Sequence, residues 1–132
     1  MRAEVLAYCQ ANPVPGYAVA SELPWDSNGE PLYVKNYKRI YVDQDQVSQE
    51  PLIDVLNGSG VVNQTTTVRA YITTDAKNVP SNLNNLINTI SSARFVSLAG
   101  ATQRSTQVTT ELDGDAQIVS FEFSWRQLIV NQ

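Results

Sequence analysis

Residues 68–90, VRAYITTDAKNVPSNLNNLINTI, hold a strand, a turn and a helix in close succession. Val68, Ala70 and Ile72 alternate with the residues between them, which predicts a strand with these three side chains facing inward. Pro80 suits the first turn of a helix, and the apolar residues after it recur at i, i+3, i+4 and i+7, which predicts an amphipathic helix. The apolar stripe consists of Leu83, Leu86, Ile87 and Ile90.

The C-terminal third of the chain predicts a β-hairpin. Residues 106–112 and 115–125 flank an Asp-Gly pair at positions 113–114, which favours a two-residue type I′ turn. With Leu112 opposite Asp115, one side of the second strand carries only apolar residues. This set is Val119, Phe121, Phe123 and Trp125.

The other segments predict a short helix, a further strand and a long loop. Residues 1–11 form the short helix, and residues 32–42, rich in aromatic and β-branched side chains, form the strand. Residues 43–67 are the least regular part and predict a long loop of the kind that is functional or ordered by a partner. Residues 128–130, Leu-Ile-Val, break the strand alternation and predict a bulge or a segment that packs elsewhere.

These elements predict an α+β fold in one domain, residues 1–132. We expect a mostly antiparallel sheet of about four strands, packed by one main helix over about residues 80–93 and by the short N-terminal helix. The long loop at about 43–67 belongs to the same domain.

The composition excludes much of familiar enzyme chemistry. The chain has no histidine and one cysteine, which excludes Ser-His-Asp and Cys-His catalysis, a zinc site built on His and Cys, and an internal disulfide. Neutral polar residues (Asn 11, Gln 10, Ser 11, Thr 10) make up almost a third of the chain, and they hydrogen-bond but seldom titrate. We therefore expect no enzymatic activity, no metal and no cofactor. Cys9 has no basic neighbour in the sequence and is interpreted as a core residue.

The net charge of −4 argues against a nucleic-acid backbone or an anionic membrane as the main partner. No apolar run approaches the roughly 18 residues of a membrane-spanning helix, so we expect no membrane or secretion segment. The acidic residues near positions 43–45 and 111–115 do not spell out the six to eight oxygen ligands of a calcium loop, and the second group is explained by the turn.

Two groups of residues are candidate contacts with a partner. One is the apolar patch of Leu52, Ile53, Val55 and Leu56 inside the long loop, which needs a surface to cover it. The other is a basic and aromatic run, interpreted first as a solvated or intersubunit strand face and second as a nucleic-acid contact. It contains Lys35, Tyr37 and Arg39.

The segment at residues 68–86, VRAYITTDAKNVPSNLNNL, resembles the strand, Asp-Ala-Lys turn and helix of the small tail-completion proteins of long-tailed bacteriophages, and the family indicated is the tail terminator. The resemblance extends over most of the chain as an order of elements: a short helix, strands, a long loop, a strand followed by a helix, and a terminal hairpin.

The resemblance implies a structural virion protein that caps the finished tail tube as a homohexameric ring and forms the junction with the head neck. The implied partners are further copies of the chain, the tail tube protein and the head-neck connector, with DNA passing through the lumen without specific binding. An acidic or neutral lumen suits that passage because it repels phosphate. The implied location is the virion, after assembly in the host cytoplasm.

Two alternatives stay open. In the first alternative, the chain is another neck component, that is, a head-completion or joining protein. In the second, it is a small module that binds nucleic acid or another ligand. In the second case Tyr33, Tyr37 and Tyr41 would form a stacking platform near Lys35 and Arg39, provided that their strand is exposed.

Overall fold

The computed structural model describes residues 2–13, 15–32, 37–54, 60–95, 102–103 and 106–131. They form two helices and seven strands in an α+β arrangement. The helices are α1 (Arg2–Ala11) and α2 (Leu83–Ser91). The strands are β1 (Ala18–Val19), β2 (Arg39–Val42), β3 (Gln46–Asp54), β4 (Gly60–Asp75), β5 (Thr102–Gln103), β6 (Gln107–Asp113) and β7 (Ala116–Asn131).

All seven strands belong to one sheet, whose centre is the antiparallel pair β4 and β7. Each of these strands has 16 residues, and they pair from end to end without a register shift. Strands β2 and β3 both pair with β4 on the side away from β7, one after the other along its length. Strands β5 and β6 pair in the same way with β7 on the side away from β4. Strand β1 pairs with β2 in parallel.

The α+β class is confirmed, and two helices pack on the sheet as expected. The estimate of about four strands was too low, whereas the mostly antiparallel pairing is as predicted, with one parallel pair, β1 with β2. Each central strand is long enough to carry two short partners in tandem on its outer side, which a strand count along the sequence does not reveal.

The main core lies between the helices and one face of the sheet, called here the inner face. Val68, Ala70 and Ile72 point to this face and are fully buried, as their alternation predicts. The apolar set predicted on β7 is buried on the same face, and the rings of Phe123 and Trp125 stack at 6.5 Å. Between Thr66 and Ile72 on β4, and between Val119 and Trp125 on β7, every second residue therefore faces the core.

Helix α2 is shorter than the predicted 80–93. Asn82 precedes it without a side-chain cap hydrogen bond, and the segment from Pro80 forms a turn in which the amide of Leu83 donates to the Pro80 carbonyl at 3.2 Å. Leu83, Leu86 and Ile90 are buried and Ile87 is partly buried, so packing holds the helix.

The β6–β7 hairpin has the predicted faces but a different turn. Asp113 pairs with Ala116, so Gly114 and Asp115 are the turn residues and Leu112 lies opposite Gln117, two positions from the predicted partner. Gly114 has a φ of +60° and Asp115 does not have a positive φ, as expected for type II′ and not for type I′. A shift of two positions keeps each side chain on its face.

Three further predictions need correction. The long loop at 43–67 was wrong: β3 and the start of β4 occupy most of it, with residues 55–59 outside the described part. The strand predicted over 32–42 begins at Arg39, and residues 33–36 also lie outside the described part. Residues 128–130 contain no bulge, because β7 stays paired with β4 to its end.

The opposite face of the sheet, called here the outer face, is partly covered. Tyr41, Thr73 and Ile118 point to this face and are buried. The side chain of Trp25 also lies there, and its Nε1 donates to Asp43 Oδ2 at 3.4 Å. The described helices are too short or too polar to span a membrane.

We expect Phe123→Ala to lower the free energy of unfolding by about 3–5 kcal/mol, because it removes a fully buried ring from the main core. Denaturant unfolding measures this. The matched control is Leu112→Ala on the exposed face of β6, which we expect to change stability by less than about 0.5 kcal/mol. Equal losses for the two variants would contradict the position of the core.

Burial raises the pKa of the Cys9 thiol to about 11, which agrees with its interpretation as a core residue. At pH 8 we expect maleimide to react with Cys9 roughly 100-fold more slowly in the folded protein than in urea, because thiolate is the reactive form. Below pH 9 the folded and unfolded thiols are both protonated, and the stability that burial of the protonated thiol gives is lost as the pH rises toward 11. Rapid labelling of the folded protein at pH 8 would contradict this burial.

Candidate functional site

Strands β4 and β7 extend well beyond the helices that cover them. A strand of 16 residues spans roughly 53 Å, whereas the nine residues of α2 span roughly 14 Å. Burial accordingly ends at Thr66 on β4 and Trp125 on β7. The part beyond consists of β3, residues 60–65 of β4 and residues 126–131 of β7, and we call it the β-arm.

Large apolar side chains of the β-arm are exposed. The exposed fractions are 58% for Val47, 49% for Leu52, 60% for Leu128 and 64% for Val130. Polar side chains near the root of the arm are paired with one another, as Arg126 Nε donates to Asn63 Oδ1 at 2.8 Å. The arm therefore carries exposed apolar side chains along its length, from Val47 at the root to Val130 at the end, with polar pairs between them.

Both faces of the β-arm are apolar near its end. Val61 lies opposite Val130 on the outer face, and Val62 lies opposite Ile129 on the inner face. Consecutive apolar residues in a strand place apolar groups on both sides of the sheet, which suits a strand that is covered on both sides. In the single chain neither side of this end is buried.

The predicted apolar patch belongs to this β-arm in part. Leu52 lies in β3 at the point where the register with β4 shifts, and Ile53 pairs with Val61. Val55 and Leu56 lie outside the described residues. The described half of the patch, Leu52 and Ile53, is thus part of strand β3.

The predicted basic and aromatic run lies near the other end of β4. Arg39 pairs with Thr73, and its guanidinium contacts Glu22 Oε1 at 3.4 Å. Tyr37 is exposed, and Lys35 lies outside the described residues. The structure therefore does not bring the two candidate groups together.

The stacking platform suggested for the nucleic-acid alternative is not formed as proposed. Tyr41 is fully buried on the outer face, opposite Tyr71, while Tyr37 is exposed before β2 begins. Tyr33 lies outside the described residues. A buried ring cannot stack on a base, which removes Tyr41 from any such surface.

A groove of about 320 Å³ with a mixed polar and apolar lining lies on the outer face above β4, β7 and β6. Ser120 and Thr109 lie side by side in its middle, where short side chains leave space open. An ion pair between Arg69 and Glu122, with nitrogen and oxygen 3.2 Å apart, lies on one side, and Trp25 forms a wall. The sequence left open whether Trp25 is a core or a contact residue; it is 41% exposed, whereas Trp125 is core.

Among the described ranges, no three Asp, Glu or Cys side chains lie close enough together to hold a metal ion. The acidic residues near the start of β3 make local hydrogen bonds: Asp43 Oδ1 accepts from the amide of Gln44 at 2.8 Å, and Asp45 Oδ1 accepts from the amide of Arg2.

The sequence matches no family model and no curated protein. Any function proposed for the chain therefore rests on its own chemistry and geometry and on the resemblance of residues 68–86. The β-arm is the candidate functional site, because it is the part of the described sheet where ordered strands expose apolar side chains on both faces.

We expect no salt-dependent binding of single-stranded DNA at low salt, because Tyr41 is buried and the guanidinium of Arg39 lies beside Glu22. Fluorescence anisotropy with a labelled oligonucleotide measures this. Binding that weakens with added salt and is lost in Tyr37→Ala would contradict the expectation and favour the nucleic-acid module.

Proposed function

We propose that this chain is a structural virion protein that caps the tail tube of a long-tailed bacteriophage as a ring and forms the junction with the head neck. Support comes from the resemblance of residues 68–86; of the order of elements around them, the long loop is replaced by β3 and the start of β4. Strand β4, the turn over residues 75–80 and helix α2 follow one another as that resemblance implies.

The observation that carries the proposal is the β-arm. A lone chain gains nothing from placing Leu52, Leu128 and Val130 in water, since burying one such side chain is worth roughly 1.5–3 kcal/mol. Packing of several copies side by side covers these groups, and the same extended sheet offers a surface to the tube or the neck.

The charge balance suits a lumen through which DNA passes. The chain carries a net charge of −4, and the guanidinium of Arg69 beside the groove is paired with the carboxylate of Glu122. A surface of this kind does not attract phosphate strongly, so DNA can slide past without being held.

In this proposal the partners are copies of the chain, as a homohexamer, with the tail tube protein on one side and the head-neck connector on the other. The protein acts in the virion after assembly in the host cytoplasm, and it acts through contacts, without a catalytic step or a cofactor.

We expect the purified protein to have a mass several times the 14.6 kDa of one chain in multi-angle light scattering, alone or with tail-tube protein. The double variant Leu128→Lys and Val130→Lys should shift it to monomer, because two charges replace apolar groups that the ring covers. The matched control is Leu112→Lys, equally exposed but on β6, which should leave the mass unchanged.

A monomer under all these conditions would contradict the proposal. Electron microscopy of virions with labelled protein separates the terminator from another neck component: label at the end of the tail tube supports the proposal, and label confined to the head side of the neck supports a joining protein.

A further inference from the structure

The β-arm has two open edges on opposite sides. The strands follow one another in the order β3, β4, β7, so β3 forms one edge and residues 128–131 of β7 form the other. Within the described part of the chain, neither edge has a further strand beside it. An unpaired edge presents N–H and C=O groups with which a strand of another chain can pair; on β3 the row is interrupted at Pro51, which has no N–H, and at the register shift that follows it.

The two edges run in the same direction. Strands β3 and β7 both pair antiparallel with β4, so they are parallel to each other and end at the same end of the arm. A copy related by rotation about an axis along the strands brings its β3 edge against the β7 edge of the first copy, and both sheets keep the same face inward. Such a head-to-tail contact closes into a ring when the rotation from one copy to the next is a whole fraction of a turn without a shift along the axis.

Opposite charges lie on or beside the two edges, on the same face of the sheet: Glu50 is on the β3 edge, and Arg126 lies two residues before the open part of β7, where Thr102 of β5 is its neighbour. Glu50 of β3 pairs with Asn63, and Arg126 of β7 pairs with Thr65; both β4 residues belong to the outer face. Both charged side chains are exposed, and among the described residues neither has an ion-pair partner. A carboxylate on β3 of one copy is therefore complementary to a guanidinium on β7 of the next.

We propose that neighbouring copies join by adding the β3 edge of one chain to the β7 edge of the next, with Glu50 within diagonal reach of Arg126 across the seam. This inference rests on the proposed ring and names the contact that builds it. The same seam covers Leu52, Leu128 and Val130, which are exposed in the single chain.

A two-fold pairing of an edge with itself is the competing arrangement, and charge disfavours it. A seam of two β3 edges would carry Glu50 from both copies, and a seam of two β7 edges would carry Arg126 from both. Like charges across neighbouring strands are destabilising, and a two-fold contact would stop at a dimer.

Charge reversal tests the seam. Glu50→Arg and Arg126→Glu should each raise roughly tenfold the concentration at which half of the chains are assembled at low salt, which corresponds to about 1.4 kcal/mol. The double variant Glu50→Arg with Arg126→Glu should return that concentration to within about twofold of the original, because the opposite charges are restored with exchanged positions. Sedimentation and light scattering over a concentration series measure this.

The matched control is Glu111→Arg on β6, an exposed carboxylate outside the β-arm, which should leave assembly unchanged. Denaturant unfolding checks that every variant is folded. If both single reversals assemble as well as the original protein, or if the double variant is no better than the singles, this seam is wrong while the ring remains supported. If the original protein is monomeric at every concentration, alone and with tail-tube protein, the proposed function fails as well.

A flexible bis-maleimide gives a readout that does not depend on charge. In the variant Ser48→Cys with Leu128→Cys, which places one thiol on each edge, it should produce a ladder longer than dimer, while each single variant should give little product. The buried Cys9 adds little background. Two results together would overturn the head-to-tail seam in favour of self-pairing: efficient cross-linked dimers from one of the single variants, and no product larger than a dimer from the double variant.

Discussion

The end-to-end pairing of β4 with β7 is the constraint on which the structure depends. Sixteen consecutive residue pairs without a register shift hold two strands that are distant in sequence. The alternation of both strands then places one apolar row toward the helices, from Ile72 and Val119 to Trp125. A slip of one residue would turn this row to solvent, so the core and the backbone ladder enforce the same register.

The mismatch in length between these strands and the helices accounts for the surfaces of the molecule. Helices α1 and α2 are ten and nine residues long and cover only part of one face. The sheet beyond Thr66 and Trp125 remains without a helical layer, and its end is apolar on both faces. In the proposed ring, neighbouring copies cover this part of the sheet.

The absence of histidine and the low fraction of charged residues agree with a surface made for contacts. Amide and hydroxyl groups pair with one another on the β-arm, as Gln49 does with Gln64 at 2.9 Å. Such groups hydrogen-bond in fixed geometries and carry no net charge, so many modest contacts between identical copies do not accumulate repulsion. In the proposed ring, exposed charged groups such as Glu50 and Arg126 orient one copy against the next.

The sequence by itself determined the local elements whose periodicity is set by burial on one side: strand 68–74, the stripe on α2, the inward face of β7 and the position of the hairpin. It did not determine how far strands run where no core lies beneath them. The alternation breaks at residues 128–130 because no core lies beneath them. In the segment 43–67, the polar and irregular composition gave no signal for the antiparallel pair of β3 and β4. Only the tertiary structure decided these points. Strand β3 and the end of β7 are held by backbone hydrogen bonds to β4, and backbone pairing leaves little trace in the pattern of side chains.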